Sequence, residues 1–156
     1  MSIKAFSDDF AKALEDEINR SSVYRQAAKG WKWTVGLVIE AEPDKGVHHS
    51  LGVYMDLFDG QARQVRMASL DEVRACDFVI TASYTRWKQV MQRRLDPTAG
   101  MLQGKLKLKG DLPTIVRYTR AARELTECTA RIAVQFPDEV QDAEVAPPGD
   151  AGESPK

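Results

Sequence analysis

The spacing of apolar positions changes period several times along the chain. Near the start, Phe6, Phe10, Leu14 and Ile18 recur every four residues, with Asp8, Asp9, Glu15, Asp16 and Glu17 largely on other sides. That is the stripe of an amphipathic helix. Ser7 ahead of two aspartates supplies a cap and a first turn matched to the helix dipole. Ser22 to Lys29 reads as a second short helix ended by Gly30. The period then drops to two. Trp31, Trp33, Val35, Leu37 and Ile39 alternate with Lys32, Thr34, Gly36, Val38 and Glu40, which predicts a strand with one apolar face. Pro43, Asp44 and Gly46 mark a turn, and Leu51, Val53, Met55 and Leu57 form the next alternating run. Asp59-Gly60 is a hairpin signal, after which Gln61 to Ala68 returns as a third strand bearing Val65 and Met67. A polar link around Asp71 and Glu72 leads to a fourth strand, with Phe78, Ile80 and Ala82 alternating. The short turns imply an antiparallel meander.

Helical spacing resumes at Trp87, Val90, Met91 and Leu95, and Asp96-Pro97 stops it. Pro97 to Leu102 is a short connector. From Gly104 to Gly110, Lys105, Lys107 and Lys109 alternate with Leu106 and Leu108, a fifth strand with a lysine face and a leucine face. Leu112, Ile115, Val116, Ala122 and Leu125 mark the stripe of one final helix from about Pro113 to Cys128. The order helix, meander, helix, strand, helix predicts an α+β domain: a five-stranded, mostly antiparallel sheet with helices packed on one face, over residues 1–136. Residues 137–156 combine Asp138, Glu139, Asp142, Glu144, Asp150 and Glu153 with prolines and glycines. With little to bury, they read as a disordered acidic tail.

Composition adds bounds. The 156 residues suit one domain, and a net charge of −1 gives no global pull toward nucleic acid. Cys76 and Cys128 are too few for a disulfide framework and read as buried free thiols. No apolar run has the length of a membrane span, and the N-terminal stretch lacks a signal peptide's apolar segment, so a cytoplasmic setting is the expectation. Charge is uneven: residues 84–131 hold eleven basic and four acidic side chains.

The stretch CDFVITASYTRWKQVMQRRLDPTAGMLQGKLKLKGDL, Cys76 to Leu112, resembles the sterol carrier protein type 2 (SCP-2) domain family. A strand enters a helix, a basic-apolar segment reaches Asp96-Pro97, Met101 follows, and a Gly-Lys-Leu-Lys-Leu-Lys-Gly strand leads into the last helix. The resemblance implies an apolar tunnel between sheet and helices, and binding of fatty acids, acyl-CoA, sterols, phospholipids or quinone-like molecules without catalysis or cofactor. It places Trp87, Val90, Met91, Met101, Leu102, Leu106, Leu108, Ile115 and Val116 along the tunnel. Alternation puts Leu37, Val53, Met55, Phe78 and Ile80 on the same side of the sheet. Arg86, Arg93, Arg94 and Arg117 are candidates for contact with lipid headgroups on an anionic membrane surface. The chain ends Ser154-Pro155-Lys156, without the peroxisomal tripeptide of many eukaryotic members, as expected of a free-standing bacterial type.

Catalytic chemistry finds little support. His48 and His49 are the only histidines and neighbour each other, and no nucleophile–base spacing, metal-ligand cluster or phosphate loop is present. A hot-dog thioesterase would also be a small α+β domain acting on acyl substrates, but it needs one long central helix wrapped by the sheet. An RNA-binding sheet is disfavoured because leucines, not aromatics, interleave the lysines of the fifth strand. A free lipid carrier and an accessory subunit that presents an apolar substrate to a partner enzyme both remain open.

Overall fold

The structure is a computed structural model that describes residues 2–139. It contains β1 (Ile3–Lys4), α1 (Asp8–Arg20), α2 (Ser22–Ala27), β2 (Thr34–Glu40), β3 (Leu51–Phe58), β4 (Gln61–Ala68), α3 (Leu70–Arg74), β5 (Phe78–Ser83), α4 (Tyr84–Met91), α5 (Pro97–Leu102), β6 (Lys107–Lys109), α6 (Leu112–Arg117), α7 (Thr119–Ala130) and β7 (Val134–Gln135). The main sheet has five strands in the order β4-β3-β2-β5-β6. The β2–β3, β3–β4 and β5–β6 pairs are antiparallel; β2 and β5 run parallel, joined by the rest of the meander and α3. This is the α+β architecture expected from the alternation of periods.

Register turns alternation into a core. Val35 pairs with Met55 and Phe78, Leu37 with Val53 and Ile80, and Ile80 with Leu108. These rows share one face, against which α1, α2 and α4 to α7 pack. Lys107 and Lys109 lie on the other face, opposite Thr81 and Val79.

Four features depart from the sequence reading. The polar link at Asp71-Glu72 is helix α3, capped by the Ser69 hydroxyl, which accepts from the Glu72 N–H at 3.2 Å. It packs on the opposite face of the sheet, where Val73, fully buried, meets Val38, Cys76 and Val79 in a second small core. Gly36 and Gly52 make room for it: a Cβ on Gly36 would lie 2.4 Å from the Val73 carbonyl oxygen. Second, the single final helix is two, broken at Tyr118, whose φ of −109° and ψ of 28° leave the helical region. The break sets its ring edge-on against Trp31, centroids 5.1 Å apart. Third, α4 ends at Met91 rather than Leu95, and Arg93 takes a left-handed φ of 62°. Fourth, β1 and β7 pair in parallel and tie the two ends of the described chain together.

The exposed edge of the sheet is blunted by side chains. Asn19 of α1 donates to the Ala62 carbonyl at 2.9 Å and accepts from the Ala62 N–H at 2.8 Å, while Glu15 accepts from the Val65 N–H at 2.8 Å. These bonds occupy three of the backbone groups of β4 that a further strand would use. At the C-terminal end, Asp138 accepts from the buried Tyr84 hydroxyl and from Lys88, whose ammonium also reaches Glu139 at 2.9 Å. Residues 140–156, most of the segment read as an acidic tail, lie outside the described residues.

Candidate functional site

Between the sheet and its helices lies a cavity of about 130 Å³. Its floor is Val35 and Leu37 of β2, Met55 and Leu57 of β3, and Ile80 of β5. One wall is Phe6, Phe10 and Leu14 from the N-terminal helix region, with Tyr24 of α2 and Trp31. The opposite wall is Trp87, Val90 and Met91 of α4, Pro97 and Met101 of α5, and Ile115 and Tyr118. Helix α7 closes the space with Ala121, Ala122, Leu125, Thr126 and Thr129.

The last set explains why space exists at all. These positions form one stripe of α7, and four of the five are alanine or threonine. A helix packed to ordinary interior density would carry larger side chains on its core stripe. The small stripe leaves room, while aromatic residues elsewhere hold the walls apart. Trp31 is fixed by its indole N–H, which donates to the Trp33 carbonyl at 2.9 Å, and by stacking on Phe78. Trp87 is fixed by its indole N–H, which donates to the Val38 carbonyl at 2.9 Å across the sheet. Three lining residues, Met55, Met91 and Met101, are methionines, whose flexible thioethers adapt to an irregular guest.

Among the described residues, no lining residue carries a charge. The buried Glu124 of α7 turns away to accept from the Ser21 hydroxyl at 2.6 Å and from Arg131 at 3.0 Å. His48 and His49 are exposed and do not line the cavity. Burial pushes the Cys128 thiol up to about 11, so it is a poor thiolate. Among the described residues, no group of histidine, cysteine, aspartate or glutamate is arranged to hold a metal ion. No helix among them is long and apolar enough to cross a membrane.

Of the residues placed on the tunnel from sequence, the structure gathers Trp87, Val90, Met91, Met101, Ile115, Leu37, Met55 and Ile80 around the cavity. Six lie elsewhere. Val53, Phe78 and Leu106 are buried in the surrounding core, and Leu108 is half-buried beside them. Leu102 and Val116 are 62% and 45% exposed, because α5 and α6 turn their neighbours Met101 and Ile115 inward instead. Sequence reasoning missed the α1 and α7 walls. The four-residue spacing of Phe6, Phe10 and Leu14 was visible, but it does not say what the stripe faces. Among the basic candidates, Arg93 pairs with Glu127 at 2.9 Å, Arg86 reaches Gln89 and Arg117 reaches Thr114. Arg94 is exposed and makes no side-chain bond among the described residues.

The fold and this cavity define a class: a small α+β domain that holds an uncharged internal space between a five-stranded sheet and a ring of helices. The chain belongs to the SCP-2 sterol transfer family, whose model matches residues 10–123. It is similar to a crystal structure of sterol carrier protein 2, at 30% identity and a TM-score of 0.75, with 83% of this chain and all of that one covered. It is equally similar to a conserved hypothetical protein from Thermus thermophilus, described as possibly a sterol carrier protein: 30% identity, TM-score 0.75, 86% of this chain and 94% of that one. The apo sterol carrier protein 2 of Yarrowia lipolytica shares the fold at 16% identity and a TM-score of 0.54, over 83% of this chain and 96% of that one. Among curated protein sequences nothing matches the chain.

Proposed function

We propose that this protein binds an apolar, lipid-like molecule in the cavity and carries it reversibly, without a chemical step. The observation that carries this reading is the uncharged lining, in a family defined by sterol transfer. Each buried methylene gains about 0.8 kcal/mol relative to water, and a bilayer offers a similar gain. Exchange between membrane and cavity is therefore near balance, as reversible carriage requires. The space of about 130 Å³ is comparable with engineered apolar cavities of roughly 150 Å³ that take up benzene. It accepts a ring or a short chain segment as it stands. A longer guest requires the helices and the three lining methionines to shift.

Basic residues beside the lining elements give the carrier a docking face: the exposed Arg94 after α4, with Arg86, Arg93 and Arg117 each bonded to a neighbouring side chain. The exposed Leu102 of α5 and Val116 of α6 supply apolar contact. Delivery to a partner enzyme rather than a membrane uses the same cavity. Native mass spectrometry of protein purified from its own host is the test. A co-purifying lipid supports carriage. Empty protein that gains no thermal stability from acyl chains, sterols or quinones refutes it. Binding to vesicles that does not rise with anionic lipid fraction removes the basic docking face.

A further inference from the structure

The cavity wall holds one polar group that the protein itself leaves without a partner. Tyr24 is 2% exposed and lines the cavity, and its hydroxyl makes no hydrogen bond among the described residues. Among the described residues the fully enclosed side-chain oxygen without a partner is Thr98 Oγ1, outside the lining; the Tyr24 hydroxyl is not sealed to that degree, so it forgoes a hydrogen bond that a guest in the cavity could supply. The other polar groups of the lining are committed or sit at its edge. Both tryptophan N–H groups donate to backbone carbonyls, and the Thr129 hydroxyl donates to the Thr126 carbonyl at 2.7 Å. The Thr126 hydroxyl turns back to the Ala122 carbonyl. Tyr118 is only half-buried, and its hydroxyl lies over Gly30.

Tyr24 is also held firmly in place. The Ser21 hydroxyl accepts from the Tyr24 backbone N–H at 3.0 Å and donates to Glu124, which Arg131 neutralises. Glu124 is only 6% exposed, and a buried carboxylate is costly unless it is paired and bonded. This chain of contacts locks α2, and Tyr24 with it, to α7.

We infer that Tyr24 is the hydrogen-bond donor for a neutral oxygen (carbonyl, ether or hydroxyl) on the buried part of the ligand, so that the cavity prefers an uncharged oxygen-bearing lipid. This rests on the apolar-ligand reading above and deepens it. A phenol surrounded by apolar side chains keeps its proton, because burial pushes the Tyr24 hydroxyl well above the usual tyrosine value. It therefore serves as a donor at any physiological pH. A carboxylate at the same place would be desolvated with no cation among the lining residues to meet it. A bare hydrocarbon would leave the hydroxyl as unpartnered as it is now.

The test uses decane, 2-decanone and decanoate with the full chain and with Tyr24→Phe, which removes one oxygen. Binding is read from the fluorescence of the lining Trp31 and Trp87, and the ketone carbonyl stretch from infrared spectra of the bound state. The bound ketone band in the wild-type protein is expected below its position in hexane. In Tyr24→Phe it should return to the hexane position, with the ratio of ketone Kd to decane Kd raised about fivefold. A wild-type band at the hexane position overturns the inference without any variant. So does an unchanged ketone-to-decane Kd ratio in Tyr24→Phe, or decanoate binding tighter than the ketone. If wild-type protein binds neither decane nor the ketone, the apolar-ligand reading itself fails; binding of decane with no role for Tyr24 sinks only this inference.

Discussion

Replacing Ala121 by leucine extends the small wall of α7 into the cavity. Ala121 is buried and lines the space, so the larger side chain enters a volume of about 130 Å³ that no protein atom fills. By the measured dependence of stability on cavity volume, about 24 cal/mol per Å³, leaving this space empty forgoes on the order of 3 kcal/mol of packing. Leucine adds about three carbon groups at ~0.8 kcal/mol each. The ordering of its side chain takes back about 0.5–1 kcal/mol, and imperfect fit takes back more. The net expectation is a gain of about 1 kcal/mol, which raises Tm by about 2–4 °C in a chain of this size. Ligand binding should move the other way. If the new side chain displaces about three carbon groups of ligand, affinity falls by about 2.4 kcal/mol, roughly fiftyfold. Thermal denaturation without ligand, and tryptophan-fluorescence titration with decane, measure the two quantities. The opposed signs are the signature of a binding cavity. If Ala121→Leu destabilises by more than about 2 kcal/mol, the space is not free as described. If ligand uptake is unaffected, the ligand binds elsewhere.

Other consequences follow from contacts outside the cavity. Gly36→Ala places a methyl group 2.4 Å from the Val73 carbonyl oxygen, so α3 must lift from the sheet; a loss of about 1–3 kcal/mol in urea unfolding is expected, and no loss would refute the close approach. Asn19→Ala strips both bonds from Ala62 at the sheet edge; a loss of about 1–2 kcal/mol with faster aggregation is expected by denaturation and light scattering. The Asp138 contacts give a pH dependence with a definite sign. Burial would push the Asp138 carboxyl up, but the bonds from Lys88 and Tyr84 outweigh it and hold the carboxyl below its ordinary value. Its stabilisation is therefore complete above the unfolded carboxylate range near pH ~3.9 and is lost as pH falls through the lower folded value. Asp138→Asn should lower stability by about 1–2 kcal/mol at neutral pH, and the gap should close in strong acid; a gap that persists there would refute the assignment.

Much of the fold was legible because it is written in local periods. Alternation at Val35, Leu37 and Ile39, and again at Phe78, Ile80 and Ala82, identified strands and their inward faces. It did so because successive side chains of a strand point to opposite sides whatever the strand pairs with. The same rule placed Lys107 and Lys109 outward, where they are exposed; Lys105 is exposed too, but it lies outside the strand, which is shorter than the run from Gly104 to Gly110. The family resemblance drew the cavity's α4 and α5 wall from Trp87, Val90, Met91 and Met101. It failed at Leu102 and Val116, where an adjacent residue faces inward and only the docked helix decides which.

Other features depend on pairs of residues far apart in the chain. Helix α3 was unreadable from Leu70-Asp71-Glu72-Val73-Arg74 alone, since one buried valine makes no stripe; its place is set by Gly36 and Gly52 in other elements. The break at Tyr118 has no local breaker residue, and the ring it positions meets Trp31, far off in the chain. The cavity is the clearest case. Ala121, Ala122, Thr126 and Thr129 are ordinary helix residues in sequence, and they become a binding wall only because large side chains from α1, α2 and α4 stand opposite them. By itself the sequence determined most of the elements, the faces of the strands and the resemblance to the family. The tertiary structure alone decided where the empty space lies and which residues line it, because a void is a property of what several elements jointly fail to fill.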